Sequence, residues 1–235
     1  MNSSLIKQCV AEFIGTFALI FVGVGAIYHN PGNLLAIALA HGLTIAVMVS
    51  ATAGISGGQI NPAVTFGLFI GGRLRVTQTI AFWIAQLAGA SAAGFVLLFI
   101  FTGQVDPQKG AELAQTIVAN GTPDLAPKGI TAVQGIVIEG ILTFFLVFVV
   151  YGTAVDIRAP RIGGLAIGLT VTLDILFGGP FTGAAMNPAR TFGPALASGH
   201  WNNQAIYWIG PMLGGALAGL VYGRFLIKQN IEVRK

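Results

Sequence analysis

The tripeptide Asn-Pro-Ala occurs twice in this chain, at Asn61-Pro62-Ala63 and at Asn187-Pro188-Ala189, and its surroundings recur with it. Gly42-Leu43-Thr44 returns as Gly168-Leu169-Thr170, and Thr65-Phe66-Gly67 as Thr191-Phe192-Gly193, always 126 positions on (187 − 61). Trp83 and Trp208 pair at 125, while Glu12-x-x-x-Thr16-Phe17 pairs with Glu139-x-x-x-Thr143-Phe144 at 127. Chance supplies one such coincidence; a set at nearly constant offset means two homologous halves, about 1–103 and 130–235, within a single domain of 1–235. Any fold for this chain must use one unit twice.

That unit is too apolar for water. Charged residues make up 9% of the 235, against about 25% in an ordinary soluble domain, and 54% hydrophobic residues exceed what one soluble core of this length can bury. Six stretches have the ~20-residue length that crosses a ~30 Å hydrocarbon layer: about 8–28, 34–53, 79–101, 131–152, 161–178 and 205–227. The first is read as a span and not a cleaved signal, because it carries Glu12, runs long and lacks a small-x-small cleavage site. Each half then holds three spans. Because three is odd, the second half enters the membrane upside down, so the expected fold is an all-α membrane protein with an inverted 3+3 repeat.

Nine basic residues (Lys7, Arg73, Arg75, Arg158, Arg161, Arg224, Lys228, Arg234, Lys235) fall in the termini or even-numbered loops, against Lys109 and Lys128 in odd-numbered ones. This asymmetry places both termini in the cytoplasm. The net charge of +4 is therefore topological and not a nucleic-acid footprint. A single cysteine, Cys9, excludes a disulfide framework or a Cys-based metal site, and no cofactor is expected.

Each Asn-Pro-Ala is followed by an apolar stretch, about 61–72 or 187–198, too short to cross. Ten residues of helix rise ~15 Å, so each stretch reads as a re-entrant half-helix, and inversion makes the two starts meet at the midplane. Asn is a favoured N-cap, and Pro suits the first helical position. With its carbonyl oxygen spent on the cap, each Asn is left offering only amide donors, and the two positive helix ends add a barrier to cations. One Asn-Pro is an ordinary turn signal; two at symmetric positions are a site.

The chain resembles the aquaporin (major intrinsic protein) family over nearly its whole length, from Ala11-Glu12-Phe13-Ile14-Gly15-Thr16-Phe17 through Ser56-Gly57-Gly58-Gln59-Ile60-Asn61-Pro62-Ala63-Val64 and Thr182-Gly183-Ala184-Ala185-Met186-Asn187-Pro188-Ala189-Arg190 to Tyr207-Trp208-Ile209-Gly210-Pro211. The resemblance implies six tilted helices, two half-helices, and a homotetramer with one pore per subunit and no enzymatic chemistry. It also implies a constriction formed by His41, Ile175, Ala184 and Arg190. Arg190 is the main asymmetry between halves, since its repeat partner is Val64 (190 − 126). An unpaired charge near membrane depth is costly and needs a reason. Gly57, Gly58, Gln59 and Ile60, with Gly183, Ala184, Ala185 and Met186, are expected to run extended and present a ladder of carbonyls to water. At the asparagines the water oxygen accepts both amide donors, which breaks the proton wire.

Strict water channels of the family often carry Phe and His at the first two constriction positions, and glycerol facilitators carry Trp, Gly and Phe. The present set is more like plant vacuolar-membrane members and some bacterial ones. A slightly wider, less polar opening is expected, through which ammonia, and with it urea or carbon dioxide, could pass beside water. Against glycerol stand Thr191, Ala195 and the pair Tyr207-Trp208, where facilitators differ. Glu12 and Glu139 are expected to accept N–H bonds from the irregular segments. Asp174 has no charged counterpart in the first half; a hydrogen-bonded partner near the constriction is expected. Gly215-x-x-x-Gly219-x-x-x-Gly223 reads as a close-packing face within the subunit, and Cys9, His29 and His200 read as ordinary structural residues. A coupled transporter also uses inverted repeats, but would need ion-coordinating groups at the midplane. Short termini point to a bacterial or archaeal plasma membrane.

Overall fold

The computed structural model describes residues 3–103, 110–126, 129–160 and 162–227. Lys109, Lys128, Arg161, Lys228, Arg234 and Lys235, which entered the charge count, lie outside the described residues.

Six helical segments are long and apolar enough to cross a membrane: α1 (Ser3–His29), α2 (Leu34–Thr52), α4 (Val76–Thr102), α6 (Ala132–Val150, continued as a π-helical turn, Tyr151–Val155), α7 (Gly163–Thr182) and α9 (Ile206–Leu220, continued as a π-helical turn, Val221–Leu226). Between them lie the half-helices α3 (Pro62–Ile70) and α8 (Pro188–Ser198), and a surface helix α5 (Gly110–Asn120) joins the halves. Local chemistry explains the boundaries. Asn33 caps α2 through Ala36 N–H, and Thr131 with Gln134 forms a reciprocal capping box on α6. Gly183, at φ 78°, ends α7 in the left-handed conformation that favours glycine. The expected spans differ from these by a few residues at most ends, and α1 starts five residues earlier than 8 (8 − 3) because Ser4 to Lys7 continue the helical hydrogen bonding.

The repeat is visible in the packing. Helix α1 lies on α4 and, equivalently, α6 lies on α9; α2 and α7 cross between the halves; each half-helix leans on the last span of the opposite half, α3 on α9 and α8 on α4. Apolar side chains such as Leu43, Val47, Ile84, Val133, Leu173 and Leu213 stay largely exposed, as a lipid-facing surface requires. The closest helix contacts are made at glycines. At the α3–α9 contact a side chain on Gly219 would place its Cβ 2.2 Å from Gly67 O, and one on Gly215 would lie 2.5 Å from Ala63 O. The spaced glycines of α9 thus let it approach the half-helix backbone to contact distance. Tyr151 Oη donates to Gly67 O at 3.1 Å and Arg224 Nε to Ile70 O at 3.0 Å, fastening the far end of α3.

Gly219→Ala is expected to lower the melting temperature in detergent by several degrees, since overpacking costs about 1–3 kcal/mol when the neighbour is backbone and cannot yield. An unchanged melting temperature would show that α9 shifts freely.

Candidate functional site

The two half-helices begin beside one another because both caps form as the sequence dictates. Asn61 and Asn187 are extended, at φ −160° and −152°. Asn61 Oδ1 accepts from Ala63 N at 2.8 Å; Asn187 Oδ1 accepts from Ala189 N at 3.0 Å and Arg190 N at 3.3 Å. Pro62 and Pro188 take the first helical position. The side-chain amides are not wholly free, however. Asn61 Nδ2 donates to Met186 O at 2.8 Å, and Asn187 Nδ2 donates to Ile60 O at 2.9 Å. Each asparagine therefore spends one amide hydrogen on the opposite half and keeps one for the cavity. The exchange is possible because Ile60 and Met186 have positive φ, 56° and 51°, which turns their carbonyls toward the partner asparagine. Each of these carbonyls thus spends one of its two lone pairs on the opposite half; Met186 lines the cavity, whereas Ile60 is fully buried and is not among its lining residues.

Glu12 and Glu139 hold the strands that lead to these caps. Glu12 accepts from Ser56 Oγ (2.6 Å), Gln59 N (3.0 Å), Ile60 N (2.6 Å) and Gln86 Nε2 (2.8 Å). Glu139 accepts from Thr182 Oγ1 (2.6 Å), Ala185 N (3.0 Å) and Met186 N (2.7 Å). Both are completely buried. Irregular backbone inside a bilayer needs such acceptors, since no water reaches its N–H groups.

A narrow cavity with about 40 Å³ of water-accessible space runs past both caps. Its lining includes Gly57, Gly58, Gln59 and Asn61 from one half and Ala184, Ala185, Met186 and Asn187 from the other; much of the rest is apolar, from Leu19, Ile45, Val49 and Val64 to Leu146, Val150, Ile167 and Val171. Pro62, Ala63, Pro188 and Ala189 are buried behind the asparagines, and Gly183 sits further out, in a vestibule. His41, Ile175, Ala184 and Arg190 all line the cavity. His41 Nδ1 lies 2.9 Å from Ile37 O; a carbonyl only accepts, so Nδ1 carries the proton and Nε2 of the neutral ring is an acceptor. That Nε2 has no partner among the described residues. Arg190, 5% exposed, donates from one terminal nitrogen to Gly121 O at 2.7 Å. The cavity thus offers donors at one charged group and two amides, the backbone of two short irregular runs, and apolar side chains over much of the rest of its lining.

Asp174 departs from expectation. Its Oδ2 is buried with no hydrogen-bond partner among the described residues, and the residue is off the cavity wall. The sequence reading also missed Gly121. The Ala114, Ile117, Val118 spacing of α5 buries one face of that helix, a signal too short to register among six spans. Cys9 Sγ, 3.8 Å from Ala81 O, and His29, edge-on to Tyr28, lie in ordinary packing.

The family model for major intrinsic proteins matches residues 1–222. The chain is 43% identical over 240 residues to aquaporin TIP2-3 of Zea mays, covering 97% of this chain and 90% of that protein. It is 44% identical over 240 residues to probable aquaporin TIP3-2 of Arabidopsis thaliana, covering 94% and 84%. In fold it is similar to the aquaglyceroporin from Plasmodium falciparum, with a TM-score of 0.78 at 24% identity over 94% of this chain and 97% of that one. These two sequence relatives are plant proteins, so they lend no support to a prokaryotic plasma membrane; a multi-pass membrane location is what they share with the fold.

Proposed function

The chain belongs to the major intrinsic protein family, whose members are membrane channels and not enzymes, and we propose that this one conducts water passively, in single file, down an osmotic gradient. The observation that carries the reading is the pair of asparagines, each locked by the other half and each turning one amide N–H on the same narrow cavity. A water there accepts from both amides, so its own hydrogens face outward and cannot relay a proton between its neighbours. The two half-helix starts add positive potential at that level. Carbonyls of Gly57 to Gln59 and of Ala184 and Ala185 supply acceptors above and below, while the apolar wall keeps each water weakly held. His41, Ile175, Ala184 and Arg190 form the narrow outer filter in this reading. Membership in a homotetramer and cytoplasmic termini follow from the family likeness and the basic-residue asymmetry.

A second solute is favoured by one feature. Ile175 and Ala184 put hydrocarbon at the level where Arg190 donates and His41 Nε2 accepts, a combination that suits ammonia, small and both donor and acceptor.

Stopped-flow light scattering on proteoliposomes tests both. With an impermeant osmolyte, shrinkage should be at least about tenfold faster than in empty vesicles, a passive pore lowering the barrier by ~1.4 kcal/mol or more. An internal pH dye should report ammonia uptake, with little glycerol uptake. Shrinkage no faster than in empty vesicles, or proton flux comparable to water flux, would overturn the proposal.

A further inference from the structure

The Arg190 side chain makes a single hydrogen bond among the described residues, the one to Gly121 O. What holds that carbonyl therefore holds the guanidinium. Gly121 closes α5, and its N–H donates to Ile117 O and Val118 O, both at 3.2 Å. Beyond it, residues 122–126 have no regular structure and run across the outer vestibule. Thr122 N and Oγ1 donate back to α5, to Ala119 O at 2.9 Å and Val118 O at 3.2 Å, and Ala126 N donates to Phe181 O at 2.8 Å; between these ends, residues 123–125 are held by the Asp124 side chain. Asp124 Oδ1 accepts from Leu125 N at 2.8 Å and from Asn203 Nδ2 at 2.6 Å, and its Oδ2 accepts from His200 Nε2 at 2.9 Å.

His200 and Asn203 stand just past the end of α8, the helix that starts at Asn187 and carries Arg190. The contacts therefore close a ring: Arg190 to Gly121, along the loop to Asp124, across to His200 and Asn203, and back through α8. Asp124, His200 and Arg190 are the charged or titratable side chains that line this vestibule among the described residues. Burial pushes the Asp124 carboxyl up, but the Asn203 amide, the Leu125 N–H and the His200 ring outweigh it and hold the group below its ordinary range. It is a carboxylate at neutral pH, able to accept all three bonds at once.

We propose that Asp124 is a positioning residue for Arg190: clamped by His200 and Asn203, it fixes the 121–126 loop so that the Gly121 carbonyl holds the guanidinium in the constriction. This rests on the reading of Arg190 as part of the outer filter. A long arginine side chain has many rotamers to lose, and with only one anchor its place in the opening depends on how rigid that anchor is. The clamp sets solute cut-off without touching the solute.

The test uses the full chain in proteoliposomes, with urea uptake and osmotic water permeability measured on Asp124→Ala, Asp124→Asn, Arg190→Val and Asp124→Ala/Arg190→Val. Asp124→Ala should raise urea uptake roughly threefold or more, the size of one lost hydrogen bond of positioning, while water permeability changes less. Asp124→Asn, whose amide oxygen still accepts from Asn203 and Leu125, should recover most of the discrimination. In the Arg190→Val background Asp124→Ala should add nothing, because a residue acting only through Arg190 is silent without it. If Asp124→Ala fails to fold, Asn203→Ala removes one bond to the carboxylate and is read the same way. An unchanged urea-to-water ratio in these variants, or the same increment in the Arg190→Val background, overturns the proposal. If Arg190→Val itself leaves urea uptake unchanged, it is the filter reading that fails.

Discussion

Glu139→Ala is expected to yield little folded protein, although Glu139 is off the cavity wall. The substitution strips the acceptor from Thr182 Oγ1, Ala185 N and Met186 N, all buried. Each stranded donor costs about 1–3 kcal/mol, so the loss is on the order of 3–9 kcal/mol, a large part of the ~5–15 kcal/mol that holds a typical domain together. The damage also travels. Met186, freed from Glu139, no longer fixes the carbonyl to which Asn61 Nδ2 donates, so the first half's asparagine loses its orientation with the second half's strand. Glu139→Gln should be intermediate. Its carbonyl can keep the Thr182 and Ala185 bonds, but its amide then turns a donor on the Met186 N–H. Melting temperature and folded yield in detergent rank the three proteins as wild type, Gln, Ala; an alanine variant that melts like wild type would show that the strand does not depend on this acid. Glu12→Ala should be at least as severe, since Gln86 Nε2 also loses one of its two partners and keeps only Thr65 Oγ1.

How far the sequence carried this architecture depends on what each feature rests on. The spans, the inversion and the half-helices are consequences of hydropathy and of a constant offset, both written in one dimension, and all are in place. The acids were legible for the same reason: a Glu at matching positions of two apolar halves has nothing to do but satisfy backbone, and Glu12 and Glu139 do so with nearly identical partners. What could not be read were pairings across the halves. The reciprocal bonds of Asn61 to Met186 O and Asn187 to Ile60 O depend on two positive φ angles at ordinary residues, and no propensity announces Ile or Met there. They take one lone pair from each of those two carbonyls and one amide hydrogen from each asparagine. The loop carbonyl that anchors Arg190 was hidden for a different reason. A backbone acceptor at Gly121 has no side-chain signature, and His200, read as an ordinary residue, gained meaning only when folding set it beside Asp124. Asp174 shows the opposite failure. Its charge stood out in the sequence, and the described residues supply no partner for Oδ2 to explain it.

Arg190→Val should leave the protein folded and open the filter. The substitution copies Val64, which already occupies the repeat-related position at the other end of the same cavity, so the half-helix backbone accepts that side chain without strain. Gly121 O loses its donor, but it borders the vestibule, where water can replace the arginine; the melting temperature should move only slightly. The electrostatic change is larger. A unit charge ~7 Å from a passing cation, at an effective dielectric of ~20, is worth about 2 kcal/mol, or roughly a 30-fold change in the rate of crossing. Removing it should raise cation and proton leak by about that order, with the midplane asparagines supplying the barrier that remains. Bulk changes too: the guanidinium gives way to a short branched side chain beside Ile175 and Ala184, so urea uptake should rise and glycerol uptake become measurable, while osmotic water permeability holds or increases. Flux assays on the same proteoliposome preparation separate the two effects, because proton leak reports the lost charge and urea uptake the lost volume. If both stay at wild-type levels in a folded variant, discrimination resides at the asparagines alone; if only the leak rises, Arg190 acts through its charge and the reading of it as part of the solute filter fails.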